Sequence, residues 1–321
     1  MNEQNPVTVT LLHTNDLHSD LEAAARIAAY VKDVRRSVSG DRLLLVDCGD
    51  HMDRARLETE GTKGEVNRAI LEATGYEAVA VGNNEGLTFT RPELDALYRD
   101  VPFPVLCANL AARPDGNPEW LRPVTVVRKG GVRFGLVGLT APFSMFYEPL
   151  GWRVDDPFAA ARDAVERLKP QCDVIVVLSH LGLSSDERLA REVPGIDLIL
   201  GSHTHHLLER PVRVGSTYIC AAGKSGRYIG HLEIDCLPGG GVSDIRGGCV
   251  LLDGRPEDPE ILRIIGEARE RARLAMGRPV TKLEVPLELR LHRESPLSVL
   301  LAIALRQATG AQIGLTNNGQ L

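Results

Sequence analysis

The 321-residue chain sets 37 Lys and Arg against 43 Asp and Glu, giving a formal net charge of −6 and a pI near 5.9. That balance argues against a general nucleic-acid binder, which needs a basic footprint to neutralise phosphates, so any phosphate must be handled locally. The length is enough for a full core and falls where chains begin to divide into domains.

The six cysteines, Cys48, Cys107, Cys172, Cys220, Cys236 and Cys249, show no paired spacing, and several sit in apolar strand-like runs, as reduced core residues do. Met1 to Pro6 is polar and lacks an apolar secretion signal, and no run reaches the ~18 apolar residues of a membrane span. The expectation is a soluble, cytoplasmic protein with no membrane and no nucleic-acid partner.

In chain order, Val7 to Leu12 is a β-branched run leading into His13-Thr14-Asn15-Asp16-Leu17-His18. Ser19 or Asp20 then caps a helix with Ala24, Ile27, Ala28 and Val31 on its apolar side. Leu43 to Val46 reads as a buried parallel strand that stops at Gly49-Asp50, where open α/β sheets build their sites. A helix through Val66, Ala69, Ile70 and Ala73 closes at Gly75, and Ala78 to Val81 is a short strand ending at Gly82-Asn83-Asn84-Glu85. Thr90 and Pro92 open another helix, Pro104 to Ala108 is the next strand, and Lys129-Gly130-Gly131 turns a β-hairpin.

Asp156-Pro157 caps a helix that stops at Pro170. The run from Asp173 to Leu178 is a strand ending at His180, and Ile196 to Leu200 is a strand ending at Gly201-Ser202-His203-Thr204-His205-His206. Thr217 to Gly223 and His231 to Cys236 are expected to pair antiparallel, completing one sheet-rich α/β layer structure from residue 7 to about 252. Ile261, Ile265, Ala268, Ala272 and Ala275 keep a helical period amid mixed charges, the pattern of a solvated connecting helix rather than a nucleic-acid contact. Val280 to Leu289 is strand-like, and Ser295 to Thr309 is a helix ended by Gly310. This last segment is too short for an independent core.

The chemistry gathers at strand ends. Asp16 and His18 lie two apart, a spacing that points both side chains at one place, and His203 and His205 repeat it. Asp50, Asn83 and His180 each follow a strand in the same way. A lone D-x-H or a histidine at a strand end is common in proteins that bind nothing there, but these features recur at five strand ends in one chain. The set supplies imidazoles, carboxylates and an amide oxygen for two cations, one carboxylate bridging, and the donors suit zinc, manganese or iron.

The order D-x-H, G-D-x-x-D, G-N-x-E, S-H and G-x-H-x-H resembles the calcineurin-type dinuclear metallophosphoesterases. The opening HTNDLH and the late ESPLSVLLAIALRQATGA…TNNGQ resemble their 5′-nucleotidase branch. The resemblance implies an α/β fold: a two-layer β-sandwich flanked by helices, then a linker helix and a second α+β domain. On this chain the implied boundaries are a catalytic domain over 1–254, a linker helix over 255–278, and the truncated beginning of a substrate-binding domain over 279–321. In such enzymes the base-stacking aromatics and a phosphate-gripping arginine pair come from that second domain, so loose nucleotide binding is expected.

Carried over residue by residue, Asp16, His18, Asp50 and His205 would hold one divalent metal ion, and Asp50, Asn83, His180 and His203 the other. The implied reaction is attack of a metal-activated hydroxide on a small phosphate ester, above all a 5′-nucleotide. A cyclic-nucleotide or other phosphodiesterase and a thiosulfate-ester hydrolase are alternatives on the same scaffold, and a non-catalytic metal- or nucleotide-binding module is a third. That last alternative arises because Asn84 stands where the family usually has a histidine that assists catalysis. An amide cannot give up a proton at neutral pH but can still donate a hydrogen bond to a phosphoryl oxygen. His51 and His206, each next to an implied ligand, are candidates to supply the proton instead.

Overall fold

Leu43–Asp47 is buried at every residue and runs parallel to Val7–Thr14 on one side and Ala78–Ala80 on the other. This computed structural model describes residues 6–112, 116–237 and 239–320; the polar start, Met1 to Asn5, lies outside them. Around the central strand a seven-stranded sheet is ordered Val242–Leu251, Tyr228–Cys236, Val7–Thr14, Leu43–Asp47, Ala78–Ala80, Val105–Leu106 and Leu121–Arg122. A six-stranded sheet is ordered Val212–Val214, Thr217–Cys220, Leu198–Gly201, Val174–His180, Val132–Thr140 and Val124–Lys129.

The sheets face each other across one apolar layer. Val9, Leu11, Leu44, Val46 and Leu106 from the first meet Phe134, Leu136, Val174, Val176 and Leu200 from the second, all at or near zero exposure. Alternation along each strand sends the other residues outward. Leu12, Leu45 and Val79 pack under helices bearing Ile27, Val31, Ile70 and Leu94, while Val137, Val177 and Ile199 pack under helices bearing Ala161, Val165 and Leu189. The fold is therefore a two-layer β-sandwich with helices on both outer faces.

Local signals behave as the sequence leads one to expect. Asp20 caps the helix Leu21–Ser37 by accepting from the Ala23 N–H, and Asp156 caps Pro157–Leu168 through the Ala159 N–H. Val124–Lys129 and Val132–Thr140 form the antiparallel hairpin. All six cysteines are free, four of them buried.

Two expectations are corrected. Thr217–Cys220 and Tyr228–Cys236 do not pair: the first runs parallel to Leu198–Gly201 in one sheet, and the second lies between Val7–Thr14 and Val242–Leu251 in the other. Each apolar run suits a sheet interior, and the intervening Gly223 and Gly226 let the chain cross between layers, so proximity in sequence was a poor guide to pairing. Val280 to Leu289 forms no strand; its β-branched residues lack a neighbouring strand to supply a ladder, and Val280 is almost fully exposed.

Contacts divide the chain at Met276/Gly277. In the first unit, the helix Pro259–Met276 packs through Ile261, Ile265, Ala268 and Ala272. Its arginines are paired: Arg269 with Glu58 at 2.6 Å and Arg271 with Glu65 at 2.7 Å. At Gly61 on the helix Leu57–Thr62, an added Cβ would stand 2.5 Å from the Ala272 Cβ, so the two helices touch backbone to backbone. In the second unit, the helix Pro296–Thr309 starts at Ser295, whose hydroxyl lies 3.0 Å from that of Ser298, and ends at Gly310. Among the described residues no helix is long and apolar enough to cross a membrane.

The close approach at Gly61 makes the Pro259–Met276 contact sensitive to volume. Ala272→Leu is expected to lower unfolding free energy by about 1–3 kcal/mol in urea titrations, whereas Ala275→Leu, at an exposed position of the same helix, should leave it nearly unchanged.

Candidate metal centre

The strand register brings the site loops together. Thr14 is level with Asp47, and Asp47 with Val79, so the three loops that follow leave the first sheet side by side. Backbone bonds then join two of them: the N–H groups of Asp16, His18 and Ser19 donate to the carbonyls of Gly49, Asp50 and His51 at 2.9–3.0 Å. From the second sheet, the Ser202 hydroxyl donates to the Cys48 carbonyl at 2.9 Å and the Ser179 carbonyl at 2.7 Å, tying the layers at the same edge.

These loops hold uncommon backbone. Among the described residues eight non-glycines have positive φ, and six of them are Asp16, His18, Ser19, Asp50, His203 and His205. Such conformations persist where surrounding bonds over-determine them, and they concentrate at functional sites.

Two donor groups result, each with its ligand atoms within 4.8 Å of one another: Asp16, His18 and His205; and Asp16, Asp50 and His180. His18 Nε2 lies 3.2 Å from His205 Nε2 and 3.9 Å from both Asp16 Oδ1 and Asp50 Oδ2. His180 Nε2 lies 3.3 Å from Asp50 Oδ1 and 3.2 Å from Asn83 Oδ1. His205 Nε2 is 3.5 Å from Asp16 Oδ1. The His203 ring stands beside that of His180, 5.3 Å between centroids, and its backbone N–H donates to both oxygens of Asp16 at 3.0–3.1 Å.

The electrostatics fit cations. Burial raises the Asp16 carboxyl above the usual range, against the pull of His180. Burial also opposes the Asp50 charge, yet the adjacent His180 ring and the Asn84 N–H bring its carboxyl below that range. Burial disfavours a charged His180, but Asp50 and Asp16 together carry it up to about 10. Two buried carboxylates, three imidazoles and an amide oxygen thus converge on a space where positive charge is favoured, the donor chemistry of divalent metal sites. His180 is also pre-set, since its Nδ1–H donates to the Cys48 carbonyl at 2.9 Å and leaves Nε2 to face the cluster.

The remaining expected residues separate. Asn84 lies within the cluster: its N–H donates to Asp50 Oδ1 at 2.8 Å, and its side-chain Nδ2 is 3.0 Å from His18 Nδ1. His51 is buried against Tyr76, its Nδ1 3.7 Å from Asp47 and neither ring nitrogen hydrogen-bonded, so it is not among the clustered side chains. His206 is exposed and its Nδ1 pairs with Thr204 Oγ1 at 2.9 Å.

Glu85 is the supporting residue that sequence reasoning left without a task. Its buried carboxylate accepts from the N–H groups of Asp50, Gly82 and Met52 at 2.8–3.0 Å. Burial and the charge of Asp50 push it up to about 8. A Cβ on Gly82 would fall 2.2 Å from Asp50 N and Oδ1, so only glycine lets these groups approach. The G-N-x-E spacing held the signal, because a glutamate three residues past a helix start reaches back to its first N–H. Asn15 is similar: its amide donates to Asp16 Oδ2 and the Gly223 carbonyl and accepts from the Ala222 N–H.

Comparison with known proteins gives the family. Residues 9–207 match the calcineurin-like phosphoesterase family, and the chain belongs to that family; it is a hydrolase. It is 35% identical over 314 residues to the uncharacterized metallophosphoesterase YunD of Bacillus subtilis (strain 168), covering 96% of this chain and 68% of that one. It is 28% identical over 312 residues to the 5′-nucleotidase of Bos taurus, covering 82% of this chain and 53% of that enzyme. The chain thus spans only about half the length of that nucleotidase. Among solved structures, the 5′-nucleotidase precursor of Thermus thermophilus superposes with a TM-score of 0.77 at 26% identity, over 95% of this chain and 68% of its own.

His13, behind the site, generates a pH dependence. It is fully buried with neither nitrogen hydrogen-bonded, and burial pushes it down to about 4 against the pull of Asp47. Between about pH 4 and 6.5 the unfolded chain binds a proton here that the folded chain does not, so folding weakens as pH falls through that window. From pH 7 to pH 5 the native protein should lose about 2 kcal/mol relative to His13→Phe, read from paired urea unfolding curves.

Proposed function

We propose that Asp16, His18, Asp50, Asn83, His180, His203 and His205 hold two divalent cations, and that the protein uses them to hydrolyse 5′-nucleotides to nucleosides and phosphate. The observation that carries this reading is the pair of donor groups sharing Asp16, with Asp50 reaching toward both His18 and His180. The nucleotide preference is supported by the bovine and Thermus relatives. The donor set suits manganese, zinc or iron.

Bound cations would lower the pKa of water and neutralise the phosphoryl oxygens. The protein's own groups do the positioning. The His203 N–H and the Asn15 amide steady Asp16, the Asn84 N–H steadies Asp50, and the Cys48 carbonyl aims His180. An apolar rim favours an organic leaving group: the partly exposed Phe143 lies 5.6 Å from the His203 ring, and Phe146 stands edge-on to Phe143 at 6.4 Å.

With added Mn²⁺, the protein should release phosphate from 5′-AMP and from p-nitrophenyl phosphate. Asp50→Asn should lower both rates by at least ~100-fold, since changes even to groups behind metal ligands cost ~10–100-fold. A panel including 2′,3′-cyclic nucleotides and a thiosulfate ester reads the preference: turnover of one of these with 5′-AMP untouched would replace the nucleotidase assignment.

A further inference from the structure

We propose that Asn84 is a positioning residue: its side-chain amide fixes the tautomer of His18 and aims that ring at the cations, rather than acting on the substrate. This rests on the two-cation reading above. His18 presents Nε2 to the cluster, 3.2 Å from His205 Nε2 and 3.9 Å from a carboxylate oxygen of Asp16 and of Asp50. Its other nitrogen, Nδ1, faces Asn84 Nδ2 at 3.0 Å and Asp53 Oδ2 at 3.6 Å. An imidazole that ligates through Nε2 carries its proton on Nδ1, and that proton needs an acceptor.

The Asn84 amide can serve either form. With Nδ2 toward the ring it donates to a bare Nδ1, and the His18 proton then sits on Nε2, directed at His205. Turned by half a rotation, it offers Oδ1 to an Nδ1–H and frees the Nε2 lone pair for a cation, giving up only the 3.3 Å contact from Asn83 Nδ2. Asp53 lies too far for a direct bond but favours a proton on the same nitrogen. The backbone N–H of Asn84 holds Asp50 separately, so a side-chain substitution leaves that contact in place.

Calorimetric titration of the full chain with Mn²⁺ tests this in the native protein, Asn84→Ala and Asn84→Asp, each checked for an unchanged thermal transition. Asn84→Ala should bind Mn²⁺ about 10–100-fold more weakly, and raising Mn²⁺ should recover part of any loss in turnover. Asn84→Asp, whose carboxylate accepts from Nδ1–H, should restore native affinity to within about threefold. Native Mn²⁺ affinity in Asn84→Ala overturns the role, with or without a fall in kcat, and so does failure of Asn84→Asp to restore binding. A native chain that takes up no Mn²⁺ overturns the metal centre itself, which separates the two failures.

Discussion

Two buried carboxylates held close together set the terms for the rest of this structure. Asp16 and Asp50 offer oxygens within 4.8 Å of each other and of His180 Nε2, out of reach of bulk water. Like charges at about 4 Å repel by about 4 kcal/mol at an effective dielectric near 20, so the pair demands positive charge nearby. His180, driven up to about 10, answers part of that demand, and divalent cations would answer it fully. The surroundings oppose relaxation: left-handed backbone at six site positions, loop-to-loop bonds from Asp16, His18 and Ser19, and Glu85 gathering three N–H groups beneath Asp50.

The sandwich supplies the rigidity this requires. Both sheets end their parallel strands at one edge, and the shared apolar layer fixes their separation. Ser202, bonded to carbonyls of both layers, makes the position of His180 depend on the first sheet as well as its own. The clustered carboxylates and imidazoles therefore sit on strand ends backed by a packed interior, while the helix Pro259–Met276 secures the outer face through Ala272 and Gly61.

Much of this was legible in the sequence because its signals are local. Buried strands announce themselves as continuous apolar runs, and chemistry-bearing residues follow them directly, so Asp16, His18, Asp50, Asn83, His180, His203 and His205 stood out before any coordinates. What failed depended on long-range geometry. Nothing near Thr217 or His231 says which sheet each joins, and Val280 to Leu289 shows how a β-branched run without a partner stays irregular. His51 follows Asp50 directly, and only the fold shows that its ring lies beside Tyr76. The departure at Asn84 was visible as a letter, but its contact with His18 needed the fold.

Whether Asp16 and Asp50 clasp two cations is read from diffraction by crystals grown with Mn²⁺ and recorded at the manganese absorption edge. Two anomalous peaks about 3.5–4 Å apart are expected, flanked by Asp16 and Asp50 with His18 and His180 on opposite sides. Density free of anomalous signal between those carboxylates, in crystals where manganese is bound elsewhere, would contradict a two-cation site.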